Sequence, residues 1–358
     1  MRVIQMLSTI AYGDAVSNDA MALETVIKSM NYNTRIYAES IVSPLDKKNA
    51  LPIDQIGTLK DDDVVIYHFS TGSELNFRFG NLKCRKILVY HNVTPPEFFK
   101  NNDEGFMGVC QFGLDGIKYL ADKVDYCIAD SEFNKQDLIN YGFKCKIDVL
   151  PIIIPMEDYE KKPDKKTMRE MSDGKTNILF TGRVAPNKKH EDIIAAFYYY
   201  KRLYNPNSRL ILAGSFKETD SYYIRLDKFV KRLGLVRDED FIFTGHTKFN
   251  KIIAYYKCAD AFLCMSEHEG FCVPVVESMI YGVPVVAYAS TAVPDTMGKG
   301  TMVINDKNPV VVAGCIDKVM RDTQLRNSLI ANQKERLKDF SYDKVSDMFK
   351  KYLSEFLG

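Results

Sequence analysis

The chain has 358 residues, of which 46% are hydrophobic, so it is too long for one ordinary domain and apolar enough for two cores. A formal net charge of +1 excludes a protein that binds polyanions by neutralising phosphates, so nucleic acid is not an expected partner. No apolar stretch approaches the ~20 residues that span a bilayer, and residues 1–7 lack the apolar core of a signal peptide. We therefore expect a cytoplasmic protein.

The first half alternates apolar runs of strand length with segments of helical spacing. A strand at 3–7 is followed by a loop at 8–17 and by a helix at 19–30, which Asn18 is expected to cap. The further predicted strands are 34–38, 64–68, 86–90 and 126–129, and the further predicted helices are 115–123 and 133–141. This alternation predicts a parallel sheet covered by helices.

A second half of the same kind follows a polar segment at 157–175. Its predicted strands are 177–180, 209–213, 241–243, 261–265 and 285–287, and a helix at 343–357 closes the chain. We therefore predict a first domain over 1–160, a second over 174–340, and a terminal helix over 341–358.

Three patterns argue against other kinds of site. The run Asp61, Asp62, Asp63 suggests a carboxylate metal site, but it precedes a strand and is interpreted as a solvated turn. No G-x-G-x-x-G follows the first strand, which disfavours a dehydrogenase. The eight cysteines contain no C-x-x-C pair, so we expect reduced thiols and no metal cluster.

The most informative stretch is 266–279, where Glu269 and Glu277 lie on either side of a predicted strand-to-helix turn. The backbone amides that begin such a helix, and the helix dipole, favour a diphosphate. Glu269 can accept hydrogen bonds from sugar hydroxyls and Glu277 from ribose hydroxyls. An isolated pair at this spacing would be one solvated and one capping glutamate, but the surrounding sequence favours a nucleotide-sugar site.

This stretch, which contains Pro274 and is followed by the matching residues 282–287, resembles glycosyltransferase family 4, the retaining nucleotide-sugar transferases of the GT-B fold. Residues 90–95, 180–183 and 245–256 match the family in the expected order, so the resemblance covers nearly the whole chain. It implies two Rossmann-like, doubly wound α/β domains that face each other across a cleft. It also implies that the last helix crosses back onto the first domain.

The resemblance assigns Glu269 to the hydroxyls of the donor sugar and Glu277 to the ribose. It assigns the other donor contacts to the amides of Gly270, Phe271, Cys272 and Val273, to Thr291, and to the surroundings of Gly214 and Thr247 for the base. The loop around Thr291 lacks the glycines common in the family, and backbone recognition of the base would leave guanine and uracil indistinguishable from the sequence.

A departing diphosphate accumulates negative charge and needs fixed positive groups beside it. Arg183 and Lys188 match the family's G-R-x-x-x-x-K pattern, although Lys189 replaces the usual glycine; the alternative is two solvated cations. The resemblance further implies that no metal or other cofactor is required. It also implies front-face transfer, in which a donor phosphate oxygen takes the proton of the incoming hydroxyl and no covalent enzyme intermediate forms.

Two first-half loops follow strands whose carboxyl ends face a cleft in open α/β sheets. His91 follows the strand that ends at Tyr90; a lone histidine there is usually structural, but the resemblance brings it near the sixth carbon of the donor sugar. Gly13 permits close approach of its loop to the diphosphate. Asp14 either orients an acceptor hydroxyl or caps the following helix.

The predicted activity is transfer of a hexose, in the first place mannose from GDP-mannose, to a cell-envelope polysaccharide or lipid-linked glycan. The large apolar residues over 98–112 would ordinarily be the buried core of a helix. In GT-B enzymes, however, this region lines the acceptor side, so peripheral contact with the inner face of the cell membrane stays open. The alternatives are a UDP-hexose-dependent transferase, more distantly a nucleotide-sugar epimerase, and a pseudo-transferase that binds a glycan or partner without turnover.

Overall fold

The computed structural model describes all residues from 1 to 358, and the chain divides into two compact units. The first unit comprises Met1–Glu97, Glu104–Pro155 and Asp339–Gly358. The second comprises Phe98–Asp103 and Met156–Lys338. No helix of the chain is both long and apolar enough to cross a bilayer.

The first unit is built on a seven-stranded parallel sheet with the order β3-β2-β1-β4-β5-β6-β7. Its strands are β1 (Val3–Ile10), β2 (Ile36–Ile41), β3 (Leu51–Pro52), β4 (Val64–Phe69), β5 (Arg85–Tyr90), β6 (Tyr126–Ala129) and β7 (Lys146–Val149). Its first four helices are α1 (Ala15–Ser29), α2 (Leu75–Gly80), α3 (Glu104–Leu120) and α4 (Glu132–Asn140).

The second unit is built on a six-stranded parallel sheet with the order β10-β9-β8-β11-β12-β13. Its strands are β8 (Thr176–Thr181), β9 (Ser208–Ala213), β10 (Phe241–Phe243), β11 (Ala261–Cys264), β12 (Val285–Tyr288) and β13 (Met302–Ile304). Its helices are α5 (Lys165–Met171), α6 (His190–Leu203), α7 (Ser221–Arg232), α8 (Phe249–Cys258), α9 (Val273–Ile280), α10 (Val293–Met297), α11 (Pro309–Arg321) and α12 (Thr323–Leu337).

The last helix, α13 (Tyr342–Leu357), belongs to the first unit. Its buried residues Val345, Phe349 and Leu353 recur every four positions, so they form one face, and they pack into the core that also holds Val3 and Ile87. Burying such a side chain stabilises the fold by about 1.5 to 3 kcal/mol. The helix is therefore part of the first unit's core.

The predicted two parallel-sheet domains are confirmed, but the start of α1 differs from the prediction. β1 continues to Ile10, and the helix begins at Ala15 because the carboxylate of Asp14 accepts a hydrogen bond from the N–H of Ser17 at 2.9 Å. Asp14, rather than Asn18, is the N-cap.

The segment 157–175 is not a free linker. Tyr159 is buried, α5 lies within the segment, and the Asn177 side chain donates to the carbonyl of Met171 at 2.9 Å. The second unit therefore begins at Met156, and it also takes in residues 98–103, where the carbonyl of Asn102 accepts from the Ser221 hydroxyl at 2.6 Å.

The interpretation of the three aspartates as a solvated turn is wrong for Asp63, which is buried. Its carboxylate accepts from the backbone N–H of Arg2 at 2.7 Å, from the Arg2 guanidinium at 2.7 Å, and from the N–H of Lys60 at 3.1 Å. Burial alone would raise the pKa of Asp63, but these donors hold it at about 2. Asp63 thus anchors Arg2, the residue that precedes β1.

Candidate functional site

The candidate site of the second unit lies where its strand order reverses. Chain order runs outward from β8 through β9 to β10 on one side, and from β11 through β12 to β13 on the other. In open parallel sheets the loops at the carboxyl ends of the two strands at this reversal frame a ligand crevice. These loops are 182–189, after β8, and 265–272, after β11.

An ion pair joins the two loops. The Lys188 ammonium lies 2.6 Å from one carboxylate oxygen of Glu269 and 2.7 Å from the other. Burial would lower the pKa of Lys188, but the Glu269 charge and the hydrogen bonds raise it above its usual value, so the lysine is charged. The sequence predicted a phosphate ligand and a sugar ligand, and the structure brings these two residues into direct contact.

Neighbouring residues fix the geometry of this pair. The Asn187 side chain donates to the carbonyl of His268 at 3.1 Å, and the N–H of Glu267 donates to the carbonyl of Asn187 at 2.8 Å. The N–H of Glu269 donates to the hydroxyl of Thr291 at 2.8 Å. Thr291, predicted as a contact to the leaving group, thus positions the backbone of Glu269 in this structure.

The start of α9 narrows the choice of amide donors. Cys272 has a φ of 76° and turns the chain into the helix. Pro274 has no N–H, and the N–H of Val275 donates to the carbonyl of Cys272 at 3.1 Å. A ligand at this helix end therefore meets amides that precede Pro274, which is the stretch 270–273 predicted from the sequence.

Glu277 lies one turn into α9, and two tyrosines hold its carboxylate. The hydroxyl of Tyr159 donates to one oxygen and the hydroxyl of Tyr256 to the other, both at 2.7 Å. The Tyr256 hydroxyl also lies 2.6 Å from the hydroxyl of Thr181, at the end of β8. Burial raises the pKa of Glu277, although the two tyrosine hydroxyls oppose that shift. Each carboxylate oxygen keeps a second lone pair for a further hydroxyl donor.

The remaining second-unit predictions fall around the same sheet edge. Arg183 is exposed in the loop after β8, and Thr247 follows β10. Gly214 follows β9, and a Cβ there would lie 1.8 Å from the carbonyl oxygen of Gly182. Glycine at 214 is therefore required for the close approach of the two loops, whatever ligand lies above them.

His91 of the first unit has both ring nitrogens occupied. Its Nδ1 lies 2.9 Å from a carboxylate oxygen of Asp130, and its Nε2 lies 2.9 Å from Nδ1 of His68. The other nitrogen of His68 lies 2.8 Å from the side-chain oxygen of Gln5, whose amide donates to the carbonyl of Ala20. His91 is thus one link in a buried chain, and its ring contacts a donor sugar only if one of these bonds is exchanged.

The order of this chain fixes the protons. Because the Gln5 oxygen is an acceptor, His68 carries its proton on Nε2 and accepts from His91 at Nδ1. His91 therefore donates from Nε2, and one more proton lies between its Nδ1 and Asp130, whose own pKa is raised by burial. We assign that proton to His91, which gives an imidazolium–carboxylate pair. Burial would lower the pKa of His91, but the Asp130 carboxylate raises it, while burial lowers the pKa of His68 well below its usual value.

The two histidine rings lie end to end. Their centroids are 5.2 Å apart and their planes differ by 10°, which fits one in-plane hydrogen bond between the facing nitrogens. Asp19 lies close to this pair, and burial raises its pKa to about 7. The first unit thus holds a cluster of coupled titratable groups at the carboxyl ends of its central strands.

The glycine-bearing loop after β1 is resolved in favour of helix capping. Gly13 has a φ of 76°, and the space where a Cβ would point is open. Asp14 accepts from both the N–H and the hydroxyl of Ser17, at 2.9 and 2.8 Å. Of the two roles predicted for Asp14, the structure shows the helix cap.

Five residues that contact the predicted site residues, or continue their hydrogen-bond chain, were not predicted from the sequence. Tyr159, Tyr256, Asp130, His68 and Gln5 lie next to predicted site residues but were not singled out. Gln5 and His68 had a signal, because each is a buried polar residue between apolar or aromatic neighbours, Gln5 in the buried first part of β1 and His68 in the fully buried β4. Tyr159 had none, since 118 residues separate it from Glu277.

The family model and the relatives that match this chain are described as glycosyltransferases. Residues 161–336 match the family model described as glycosyl transferases group 1. The chain is 23% identical over 308 residues to the O-antigen chain mannosyltransferase B of Escherichia coli, covering 82% of this chain and 74% of that protein. It is 24% identical over 300 residues to an uncharacterised glycosyltransferase of Methanocaldococcus jannaschii, covering 81% and 74%.

A second E. coli relative, the serotype-specific mannosyltransferase WbdA, is 23% identical over 80% of this chain, which spans 36% of that protein. Among solved structures, Anabaena HepE in complex with UDP and glucose aligns with a TM-score of 0.77 at 17% identity, covering 99% of this chain and all of that one. A glycosyltransferase from Rickettsia africae aligns with a TM-score of 0.73 at 15% identity, covering 99% and 98%. The likeness to these structures establishes the fold.

Proposed function

We propose that this chain, which belongs to the group 1 glycosyltransferases and has the GT-B fold, transfers mannose from GDP-mannose with retention of the anomeric configuration. The observation that carries the proposal is the Lys188–Glu269 ion pair beside the amino end of α9. It places a cation suited to a diphosphate against a carboxylate suited to sugar hydroxyls.

In this proposal donor binding splits the ion pair. The diphosphate takes the Lys188 ammonium, with Arg183 as a second cation, and the released carboxylate of Glu269 accepts from the sugar hydroxyls. Lys188 exchanges the carboxylate for the charged diphosphate, and Glu269 exchanges the ammonium for several hydroxyl donors, so neither charge is left buried and without hydrogen-bond partners. Lys188 then stabilises the negative charge that develops on the leaving group.

The ribose is assigned to Glu277. The hydroxyls of Tyr159 and Tyr256 hold the carboxylate in one orientation, and its remaining lone pairs suit the two adjacent hydroxyls of a ribose. Nucleotide and sugar are thus divided between two carboxylates eight residues apart on one turn and helix.

Retention is assigned to front-face transfer. A donor phosphate oxygen takes the proton of the acceptor hydroxyl, and side-chain cations together with helix amides supply the positive charge at the diphosphate, so a metal is not required. The acceptor is proposed to be a growing cell-envelope polysaccharide or a lipid-linked glycan.

The choice of mannose is supported by two relatives named as mannosyltransferases. A UDP-hexose is the second candidate donor, favoured by the alignment with HepE, whose structure holds UDP and glucose, and by a relative named alpha-monoglucosyldiacylglycerol synthase from Streptococcus pneumoniae, 27% identical over 49% of this chain. The latter name also supports a lipid acceptor.

A thermal-shift panel of GDP, UDP and ADP tests the donor. A ligand at 100 times its dissociation constant stabilises the folded state by about 2.7 kcal/mol, and we expect GDP to give the largest shift at equal concentration. Glu277→Gln should reduce that shift, because it removes the ribose contact. A larger shift with UDP would replace GDP-mannose by a UDP-hexose, and no shift with any of the three would contradict a nucleotide-sugar site.

A further inference from the structure

Two thiols lie against the Lys188–Glu269 ion pair. The Sγ atoms of Cys264 and Cys272 and a carboxylate oxygen of Glu269 lie within 4.8 Å of one another. Cys264 is fully buried, and Cys272 and Glu269 are only 6% and 8% exposed. Three donor atoms with affinity for metal cations therefore converge in one enclosed place.

The chain path explains the convergence. Cys264 is the last residue of β11, and its thiol points toward the hydroxyl of Ser266 at 3.5 Å. The chain then turns through Glu269 and returns at Cys272, which has a φ of 76° and whose Sγ lies within 4.8 Å of the Cys264 Sγ. The hydroxyl of Thr296 donates to the carbonyl of Phe271 and holds the returning segment.

This cluster already holds a cation of the protein's own. The Lys188 ammonium is bonded to both oxygens of Glu269 and interacts electrostatically with both thiols. Its side chain is 21% exposed, so it has a path to solvent. A cation that binds the thiolates more strongly than an ammonium does would take its place.

We propose that Cys264, Cys272 and Glu269 form a binding site for a thiophilic divalent cation, in the first place Zn²⁺, which displaces Lys188 from Glu269. Two thiolates and one carboxylate are a donor set typical of Zn²⁺ and of other soft divalent ions, and hard ions such as Mg²⁺ prefer oxygen ligands. A water molecule completes a tetrahedral site.

Charge and protons balance in this exchange. The two thiols release two protons, the cation forms two bonds to sulfur and one to a carboxylate oxygen, and Lys188 keeps its proton and turns toward solvent. Bound metal occupies Glu269 and displaces Lys188, two of the residues that the proposed function assigns to the donor. Inhibition of transfer by zinc therefore rests on the proposed function, whereas metal binding itself does not.

The chain offers a matched control. Cys127 and Cys145 of the first unit form a second thiol pair, with Sγ atoms 3.5 Å apart. That pair has no carboxylate oxygen, histidine nitrogen or third sulfur converging on it within the 4.8 Å that separates the proposed ligands. A titration that responds to Cys264 and not to Cys145 therefore reports the three-ligand site rather than any close pair of thiols.

The test is a titration of the full chain with Cd²⁺ alone, under a phosphine reductant that keeps the thiols reduced, read by the ultraviolet thiolate-to-metal absorption band. We expect one Cd²⁺ per chain, competition by Zn²⁺, and release of about two protons. Cys264→Ser and Cys264→Ala should each weaken binding tenfold or more, since loss even of an outer-shell partner typically costs about 10- to 100-fold. Glu269→Gln should weaken it as well, and Cys145→Ser should not.

A wild-type chain without the band, a band that survives in both Cys264 variants, or a band lost in Cys145→Ser would overturn the proposal. Thermal unfolding of each variant shows that it is folded, and the proton count on the wild-type chain needs no variant. Zinc inhibition is measured against each variant's own metal-free rate. If no donor supports transfer, the absorption titration still decides whether the metal site exists.

Discussion

Lys188 and Glu269 are 81 residues apart in the chain, yet one ammonium lies within 2.7 Å of both carboxylate oxygens. The relationship depends on the strand order of the second sheet, which puts β8 beside β11. Because each residue is the other's partner in this structure, their functions are coupled.

Replacing Lys188 by methionine should lower transfer by about 100-fold or more, because it removes a charge that stabilises the leaving diphosphate. Lys189→Met is the matched control, since Lys189 pairs with Glu267, at 3.1 Å, rather than with Glu269. Steady-state kinetics on both variants measure the effect. Equal losses in the two would mean that general positive charge, rather than the Lys188 position, is what matters.

Tyr159→Phe should weaken nucleoside diphosphate binding by a few fold, because it removes one of the two hydrogen bonds that orient the Glu277 carboxylate. A typical neutral hydrogen bond contributes about 0.5 to 1.5 kcal/mol, and one to a charged group more. Calorimetry measures the affinity, with Tyr255→Phe as the control because Tyr255 is a buried tyrosine that precedes Tyr256 in the chain. An unchanged affinity in Tyr159→Phe would separate the tyrosine from the nucleotide site.

His91 should be an imidazolium at neutral pH, and Asp130→Asn should lower its pKa by removing the paired carboxylate. Nitrogen-15 chemical shifts of the histidine rings, followed over pH, distinguish the charged ring from the neutral one. Asp148→Asn is the control, because the Asp148 carboxylate is bonded to Tyr126 and Lys146 instead. A neutral His91 at pH 7 in the wild-type chain would contradict the proton assignment.

Asp19→Asn should change how stability depends on pH. Burial raises the pKa of Asp19 to about 7, so between its unfolded pKa and pH 7 the folded state binds more protons than the unfolded state, and the cost of burying the charge disappears as pH falls. The variant should therefore gain stability over the wild type on going from pH 5 to pH 8, by roughly 2 to 3 kcal/mol.

Denaturant unfolding at the two pH values measures this difference. Asp122→Asn serves as the control, because its side chain is 84% exposed. A pH-independent difference between Asp19→Asn and the wild type would mean that Asp19 is ionised throughout.

Most of the strands were predictable because they are short apolar runs buried on both faces, whereas β3, β7 and β13 are only partly buried and were not predicted. The predicted 64–68 and 126–129 fall within one residue of β4 and β6. The start of α1 was less so, because Asp14 and Asn18 both suit a helix cap and only the bond from the N–H of Ser17 decides between them.

The residues of the candidate site are predictions from the sequence, and their contacts could not be predicted from it. Glu269 and Lys188 were found by their chemistry and by resemblance, but each was given its own ligand, because a pattern in sequence does not say which side chains meet. Tyr159 fell in a polar segment typical of a linker, and its burial depends on packing against Phe249 and Tyr281. The hydrogen-bond chain through His91 was not predicted for the same reason, because His68 lies in β4 and Asp130 follows β6.

The division of the donor between two carboxylates is the central claim, and calorimetry with GDP and GDP-mannose tests it most directly. Glu269→Gln should keep or raise GDP affinity, because it frees Lys188 from the ion pair that the diphosphate otherwise has to split. It should weaken GDP-mannose binding relative to GDP by roughly tenfold or more, because a hydrogen bond to a charged group contributes about 1.5 to 3 kcal/mol. Glu277→Gln should weaken both ligands through the ribose. The account is contradicted if Glu269→Gln loses affinity for GDP while Glu277→Gln keeps it.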